Sequence, residues 1–260
     1  MKNKTKLSLF GAAISCATLA TAVTATHAWF VTRDSVTLSY SSITVASNVQ
    51  NIDVSLYEVP RPQNSEPTVI EGNSYEISTP ITIGAVSSST GLSFVAKEGS
   101  SYTDVTKANI SKYAHAFGLG VSTKASLDPS ELNVSVNWAP DRTDNPSSVA
   151  LAQWIRVGVM QTQDYNFDIY KSDGVRHFYC SNASEDQIYA SRTVPNNEID
   201  SQYVVQKGST LKLCTYSTNA KHYFRFTVWM EGTYSDEQDI ARGGKVNLTV
   251  NLSSRLVPGE

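Results

Sequence analysis

The chain has 260 residues, of which 40% are hydrophobic and only 17% charged, so it can bury a large core under a lightly charged surface. Its formal charge is −3, and removal of the three lysines among the first 28 residues would bring it to about −6. That charge, in a sequence without a basic patch, argues against nucleic acid as a partner.

The first 28 residues are typical of a secretion signal. A basic start precedes an uncharged run over residues 7–28, and its three cations are Lys2, Lys4 and Lys6. Basic residues followed by an apolar stretch and small residues direct a chain to export and cleavage. We therefore predict a signal peptide over 1–28 and a secreted protein at the cell surface or in the extracellular matrix.

The small residues at the end of this run predict the cleavage region. Thr26 and Ala28 fit the third and first positions before the cut, so the mature chain would begin at Trp29. Cleavage after Ala25 is an alternative. Two further alternatives are an uncleaved leader that acts as a membrane anchor and a lipoprotein acylated at Cys16. In the main prediction the chain contacts the membrane only through its leader, before cleavage.

Alternation of apolar and polar residues dominates the mature chain and predicts strands with one buried face. In chain order the clearest segments are 36–40, 52–56, 132–138 and 246–252. Two further segments, 149–160 and 222–230, are apolar on both faces. They predict central strands that are covered on both sides.

Helix and turn signals are sparse. Ser235 and Gln238 form a capping box that predicts a short helix over 236–242, and 104–113 is a weaker helical segment. Asp173-Gly174 predicts a tight hairpin between 165–171 and 175–180. Loops are predicted at 60–62 and 141–146.

These elements predict an all-β fold: a jelly-roll or Greek-key β-sandwich with one or two short helices. An immunoglobulin-like sandwich is the alternative. The sequence contains no internal repeat, linker or compositional break, so residues 29–260 are predicted to form a single domain.

Two cysteines, Cys180 and Cys214, remain after the leader is removed. An even number of cysteines in an exported protein favours a disulfide between them. Two separate buried thiols are the alternative, because sequence does not fix the distance between the two Cα atoms.

The leader junction, Thr26-His27-Ala28-Trp29-Phe30, resembles that of the TasA and camelysin family. These are exported surface and biofilm-matrix proteins of Gram-positive bacteria that a dedicated signal peptidase cleaves. Their pattern is Thr-aromatic-Ala-aromatic-Phe, and His27 stands where Tyr or Trp is usual. Segments 45–56, 152–157 and 229–232 are similar to strands of this family or of related exported proteins.

The resemblance implies a jelly-roll protein that forms fibres with itself, or contacts other surface and matrix proteins, by donating its N-terminal strand. Residues 29–40 suit a donor strand, being β-prone and poor in acids, and their apolar positions are Trp29, Phe30, Val36, Leu38 and Tyr40. Pairing of this strand within its own domain is the alternative that the residues alone favour.

No catalytic, metal or cofactor site is predicted. His115, His177 and His222 do not form a His-Glu-x-x-His motif, and no Gly-x-Ser-x-Gly elbow is present. The acid-rich segments 164–168 and 236–239 leave Ca²⁺ binding open, although solvated turns explain them more simply. We therefore predict a structural protein that is not an enzyme, with a hydrolase disfavoured.

Aromatic residues make up 10% of the chain and include 13 tyrosines, which keeps a second function open. Exposed Tyr and Trp on a β-sandwich could stack against sugars, as in a carbohydrate-binding or adhesion module at the cell surface. Of Trp138, Trp154 and Trp229, at least two are expected to face the core instead.

Overall fold

The computed structural model describes residues 36–47, 52–59, 67–70, 74–75, 81–83, 85–87, 94–98, 101–106, 108–123, 130–169, 172–182, 201–231, 238–241 and 243–256. The strands in chain order are β1 (Val36–Ser47), β2 (Ile52–Glu58), β3 (Thr68–Ile70), β4 (Ser74–Tyr75), β5 (Ile81–Ile83), β6 (Ala85–Ser87), β7 (Val95–Glu98), β8 (Ser101–Asp104), β9 (Ala114–Thr123), β10 (Ser130–Pro140), β11 (Ile155–Thr162), β12 (Ser172–Cys180), β13 (Val204–Gln206), β14 (Thr210–Tyr216), β15 (Lys221–Glu231) and β16 (Lys245–Leu256). Two α-helices, α1 (Pro146–Trp154) and α2 (Gln238–Ala241), and two 3₁₀ turns, Ile110–Lys112 and Ser201–Tyr203, complete the described elements.

The strands form two sheets. Sheet 1 has the order β14-β10-β16-β1-β4, and β5 also pairs with β1. Sheet 2 runs β13-β12-β11-β15. Residues 221–229 of β15 pair with β9, which continues the sheet into β2 and β3. Met230 and Glu231 of β15 pair with β6, which continues it into β7 and β8.

Sheet 1 is built from strands that alternate, as the sequence predicts. The buried residues of β10 lie opposite buried residues of antiparallel β16, in the pairs Val134–Leu252, Val136–Val250 and Trp138–Leu248. The intervening side chains of Asn137, Asn247 and Asn251 are exposed. One face of this sheet therefore enters the core and the other faces solvent.

Sheet 2 has its most apolar strand at its centre. β15 covers the predicted segment 222–230 and lies between β11 and β9. All its residues from Phe224 to Glu231 are buried, so both faces of the strand are covered as predicted. The Phe117 and Phe226 rings stack across β9 and β15 with centroids 4.9 Å apart.

The prediction of one strand over 149–160 is wrong in its first half, where α1 precedes β11. The Asn145 side chain accepts a hydrogen bond from the backbone N–H of Ser147 at 3.0 Å, and Pro146 occupies the first turn, which together start a helix. Leu151 and Trp154 are buried in this helix. Val149 and Gln153 are exposed, so the helix is buried on one side only, and a short apolar run of this kind is compatible with a helix as well as with a strand.

The predicted hairpin at Asp173-Gly174 is also wrong, because both residues lie inside β12. Pairing of β12 with β11 places Thr162 opposite Ser172 and Met160 opposite Arg176, with a register shift between these two pairs, so β12 passes through an irregularity at residues 173–175 instead of turning back. The chain turns in the preceding segment, residues 163–169, which we call the covering loop.

The two helix predictions have different outcomes. The helix over 236–242 is confirmed for Gln238–Ala241, and its other residues lie outside the described part. The segment 104–113 is not an α-helix; it contains the end of β8 and the 3₁₀ turn at Ile110–Lys112. The predicted loop at 60–62 lies outside the described residues, and residues 141–145 connect β10 to α1.

A single buried cluster joins the inner faces of both sheets with α1 and α2, so the protein is an all-β sandwich. The Tyr179 hydroxyl of sheet 2 donates a hydrogen bond to the Val134 carbonyl of sheet 1 at 3.0 Å. Trp138, Trp154 and Trp229 are all buried, as expected for at least two of them.

The jelly-roll connectivity stays a prediction. None of the described helices combines the length and apolarity that a membrane crossing requires.

Candidate functional site

The predicted donor strand is only partly described. Thr26, Ala28, Trp29 and Phe30 lie outside the described residues, whereas Val36, Leu38 and Tyr40 belong to β1. β1 pairs within its own chain. Val36–Leu38 run antiparallel to β5, and Ser39–Ser47 run parallel to β16 with a shift in register between Tyr40 and Ser42.

In sheet 1, β16 lies between β10 and β1. Eight register pairs join β1 to β16, from Ser39–Lys245 to Ser47–Leu252. Departure of β1 would therefore leave a long strand edge with unpaired backbone N–H and C=O groups. Such an edge accepts any strand of suitable length and pattern.

The favoured disulfide between Cys180 and Cys214 is not formed in the structure. Cys180 lies on β12 of sheet 2 and Cys214 on β14 of sheet 1, and the Cys180 thiol donates to the Val205 carbonyl at 3.7 Å. Burial raises the pKa of the Cys214 thiol to about 12. Cys214 is therefore protonated and a poor nucleophile at neutral pH.

Four aromatic rings meet on the outer face of sheet 2, and we call Tyr57, Tyr165, Phe167 and Tyr223 the tyrosine cluster. Ring centroids are 5.3 Å apart for Tyr57 and Phe167, 6.1 Å for Phe167 and Tyr223, and 6.4 Å for Tyr165 and Tyr223. Two rings come from strands β2 and β15, and two from the covering loop. These separations are those of rings in direct contact.

Two glycines of β9 provide the space for these rings. Gly118 lies opposite Tyr57 on one side and Arg225 on the other, and a Cβ there would come within 2.5 Å of the Phe167 ring. A Cβ on Gly120 would be 2.9 Å from the Tyr57 ring. Glycine within a strand marks a close approach of another group, which here is the aromatic cluster.

Phe167 is held in an unusual backbone conformation. Its φ is 51°, in the left-handed region that bulky residues rarely adopt. The buried Arg225 donates from Nη1 to the Phe167 carbonyl at 2.8 Å and from Nε to Thr227 Oγ1 at 3.0 Å. A hydrogen bond from a charged group is strong enough to offset the backbone strain, so the covering loop is fixed to the sheet.

Polar groups surround the tyrosine cluster. Asp164 Oδ1 accepts the Asn166 backbone N–H at 2.9 Å, and the Thr162 hydroxyl donates to the Asp164 carbonyl at 3.0 Å. Burial, followed by the nearby Tyr57, Asp164 and Tyr165, raises the pKa of Tyr223. Its phenol therefore remains a hydrogen-bond donor at neutral pH. The site offers aromatic rings, hydroxyl groups and the Asp164 carboxylate, a set suited to binding.

The three histidines singled out in the sequence lie on three different strands, β9, β12 and β15. His115 is buried on β9, whereas His177 and His222 are half-buried and burial lowers the pKa of each. Gln161 Nε2 lies 3.5 Å from His222 Nδ1, and His222 is thus less exposed than expected. Buried Glu231 accepts the Trp229 indole N–H at 3.4 Å. Among the residues that the structure describes, His, Cys, Asp and Glu side chains form no group of three that could hold a metal ion.

The tyrosine cluster is apparent only in the structure, because the abundance of tyrosine in the sequence does not by itself single out Tyr57, Tyr165 or Tyr223. The signal that could have found it is Gly118-Leu119-Gly120, two glycines on one face of an apolar strand.

Comparison with protein-family models and with curated proteins finds no match to this chain.

Proposed function

We propose that the protein is a secreted structural protein of the cell surface or extracellular matrix, and that its subunits assemble by exchanging β1. The observation that carries the proposal is the pairing of β1 with β16, which is long, parallel and formed by the first described strand of the chain. The protein acts by contact between subunits and needs no catalytic group for this role.

The position of β1 in the chain makes exchange topologically simple. Residues 48–51 connect it to β2, and it is the first strand in the described part of the chain, so β1 leaves its sheet when its pairs with β16, β4 and β5 open. The same main-chain hydrogen bonds form when β1 of another copy takes its place on β16. Exchange of an identical element therefore costs little at equilibrium, and repeated head-to-tail exchange produces an open fibre.

Secretion is supported by the composition of the first 28 residues, where three lysines precede an uncharged run. The test is N-terminal sequencing of protein recovered from the culture medium. A chain that begins at Trp29 is the expected result. Recovery of the intact chain only from inside the cell would refute secretion.

Assembly is tested by locking β1 to its own β16 with an engineered disulfide. Ala46 and Asn251 are register partners, and Asn251 is exposed. Residues on adjacent strands are close enough for a disulfide. In protein that begins at Trp29, the oxidised Ala46→Cys/Asn251→Cys variant should stay monomeric by light scattering and electron microscopy, and reduction should restore fibres.

The matched control is Ala46→Ser/Asn251→Ser, which has similar volume and cannot form the bond. It should assemble with or without reductant. Fibres from the oxidised locked variant would rule out exchange of β1. A wild-type protein that stays monomeric when concentrated would refute assembly itself.

A further inference from the structure

We infer that the tyrosine cluster, together with the Asp164 carboxylate, is a binding site for a neutral oligosaccharide. The site lies on the outer face of sheet 2, away from the β1–β16 pair of sheet 1. The inference goes beyond the proposed assembly and does not depend on it, because it uses none of the residues that pair in β1.

The exposure of the rings is graded from the floor of the cluster to its rim. Phe167 is fully buried, Tyr57 and Tyr223 are half-buried, and 43% of Tyr165 is exposed. A loop that needed only an anchor would be served by Phe167. The remaining tyrosines keep part of their surface exposed to solvent, as the aromatic residues of binding surfaces do.

The site is rigid before any ligand arrives. Arg225 holds the Phe167 carbonyl, Gly118 admits the Phe167 ring, and Asp164 closes a turn with Asn166. A ligand therefore does not have to order the covering loop, and its binding free energy is not reduced by that cost.

The chemistry of the cluster matches that of a sugar. One face of a pyranose ring carries mainly C–H groups, which pack on an aromatic ring, and its hydroxyls lie around the edge. The Tyr223 phenol remains protonated and can donate, and the nearby Asp164 carboxylate can accept from a hydroxyl. The carboxylate also repels phosphate-rich polymers, which favours an uncharged ligand.

The ring geometry favours a sugar over a quaternary ammonium ion. An aromatic cage for a cation requires open space between ring faces. Here Tyr57 contacts Phe167, Phe167 contacts Tyr223, and Tyr223 contacts Tyr165, so the rings fill the space between themselves. A ligand would lie on their outer surface, as a stacked sugar does.

The test is calorimetric titration of the protein beginning at Trp29 with four soluble probes: cellohexaose, chitohexaose, laminarihexaose and mannohexaose. At least one should bind saturably in the micromolar to millimolar range. Tyr165→Ala should weaken that binding about tenfold or more, since it removes the most exposed ring contact. Asp164→Asn keeps the acceptor for Asn166 and should weaken binding several-fold.

Tyr203→Ala is the matched control. Tyr203 is a half-buried tyrosine that packs against His177 near the β12–β13 edge of sheet 2. This edge is distant in the strand order from β2, so loss of Tyr203 should leave sugar binding unchanged. Thermal melting of each variant shows whether it is folded. The disulfide-locked variant should bind like the wild type, which separates this inference from assembly.

Three outcomes would overturn the inference. The first is that none of the four oligosaccharides binds at millimolar concentration. The second is that folded Tyr165→Ala binds as well as the wild type. The third is that tetramethylammonium or inorganic polyphosphate, titrated in parallel, binds at the cluster while all four sugars do not.

Discussion

The outer faces of the two sheets differ, although both sheets contribute their inner faces to the same core. On sheet 1 the outer residues of β10 and β16, such as Asn137 and Asn251, face solvent. On sheet 2 the outer residues of β9 and β15, such as Gly118, Arg225 and Trp229, are covered. Within the part of the chain that the structure describes, the fold is thus a two-layer sandwich with a further covering on the outer face of sheet 2.

The difference shows how a second buried face is made. Trp229 lies under Phe94 and beside Phe178, with ring centroids 5.1 Å and 5.7 Å away. Gly118 and Arg225 lie under the covering loop. Segments outside the central strands therefore supply the cover, and they bring polar and aromatic groups that a sheet alone would not present.

The largest difference in stability between the two outer faces should appear when one outward residue on each sheet is replaced by alanine. Trp229→Ala should lower the free energy of unfolding by about 3–5 kcal/mol, because it leaves a large cavity under the covered face. Asn251→Ala on sheet 1 should change it by less than about 0.5 kcal/mol, since that side chain is exposed.

Urea unfolding monitored by circular dichroism gives both values. Similar decreases in the free energy of unfolding for the two variants would mean that the outer face of sheet 2 is no more covered than that of sheet 1.

A smaller effect should follow from filling the space under the covering loop. Gly118→Val should destabilise the fold by about 1–3 kcal/mol, because its side chain would clash with the Phe167 ring. In the Phe167→Ala background the same change should cost less, since the clashing ring is absent. A double-mutant cycle of urea unfolding measures this coupling. Strict additivity would show that the two residues are not in contact.

The smallest effect concerns the inner side of sheet 1, where Cys214 packs against the core. Burial raises the folded-state pKa of Cys214 to about 12, above the ordinary value of 9.0. The stability due to the buried neutral thiol is therefore complete below the unfolded pKa and is lost as pH rises towards the folded one. Between pH 7.5 and pH 10.5 the urea midpoint of unfolding should decrease more for the wild type than for Cys214→Ala. Equal decreases would show that the thiol is not protected.

Local patterns predicted the strands well where one face meets solvent. β10 and β16 follow directly from alternation, because a period of two places every second side chain on the same side. β15 followed from its continuous apolar run. The same type of run misled at 149–160, since a short apolar run fits a half-buried helix as well as a strand.

Turn signals failed where pairing with another strand decided the structure. Asp173-Gly174 has turn chemistry, yet β12 continues through it with a shift in register, because pairing with β11 on both sides of it, at Ser172 and Arg176, keeps the strand extended. Similarly, two cysteines in an exported chain suggested a bond, but the structure leaves Cys180 on β12 and Cys214 on β14 unbonded. Neither outcome is contained in the local sequence.

The sequence by itself determined the all-β class, the main strands and the burial of the tryptophans, because these depend on the local periodicity of apolar residues. Only the tertiary structure decided the partner of β1 and the meeting of Tyr57, Tyr165 and Tyr223. Strand pairing and ring contacts join residues that are distant along the chain, and their free energy depends on which segments the fold brings together.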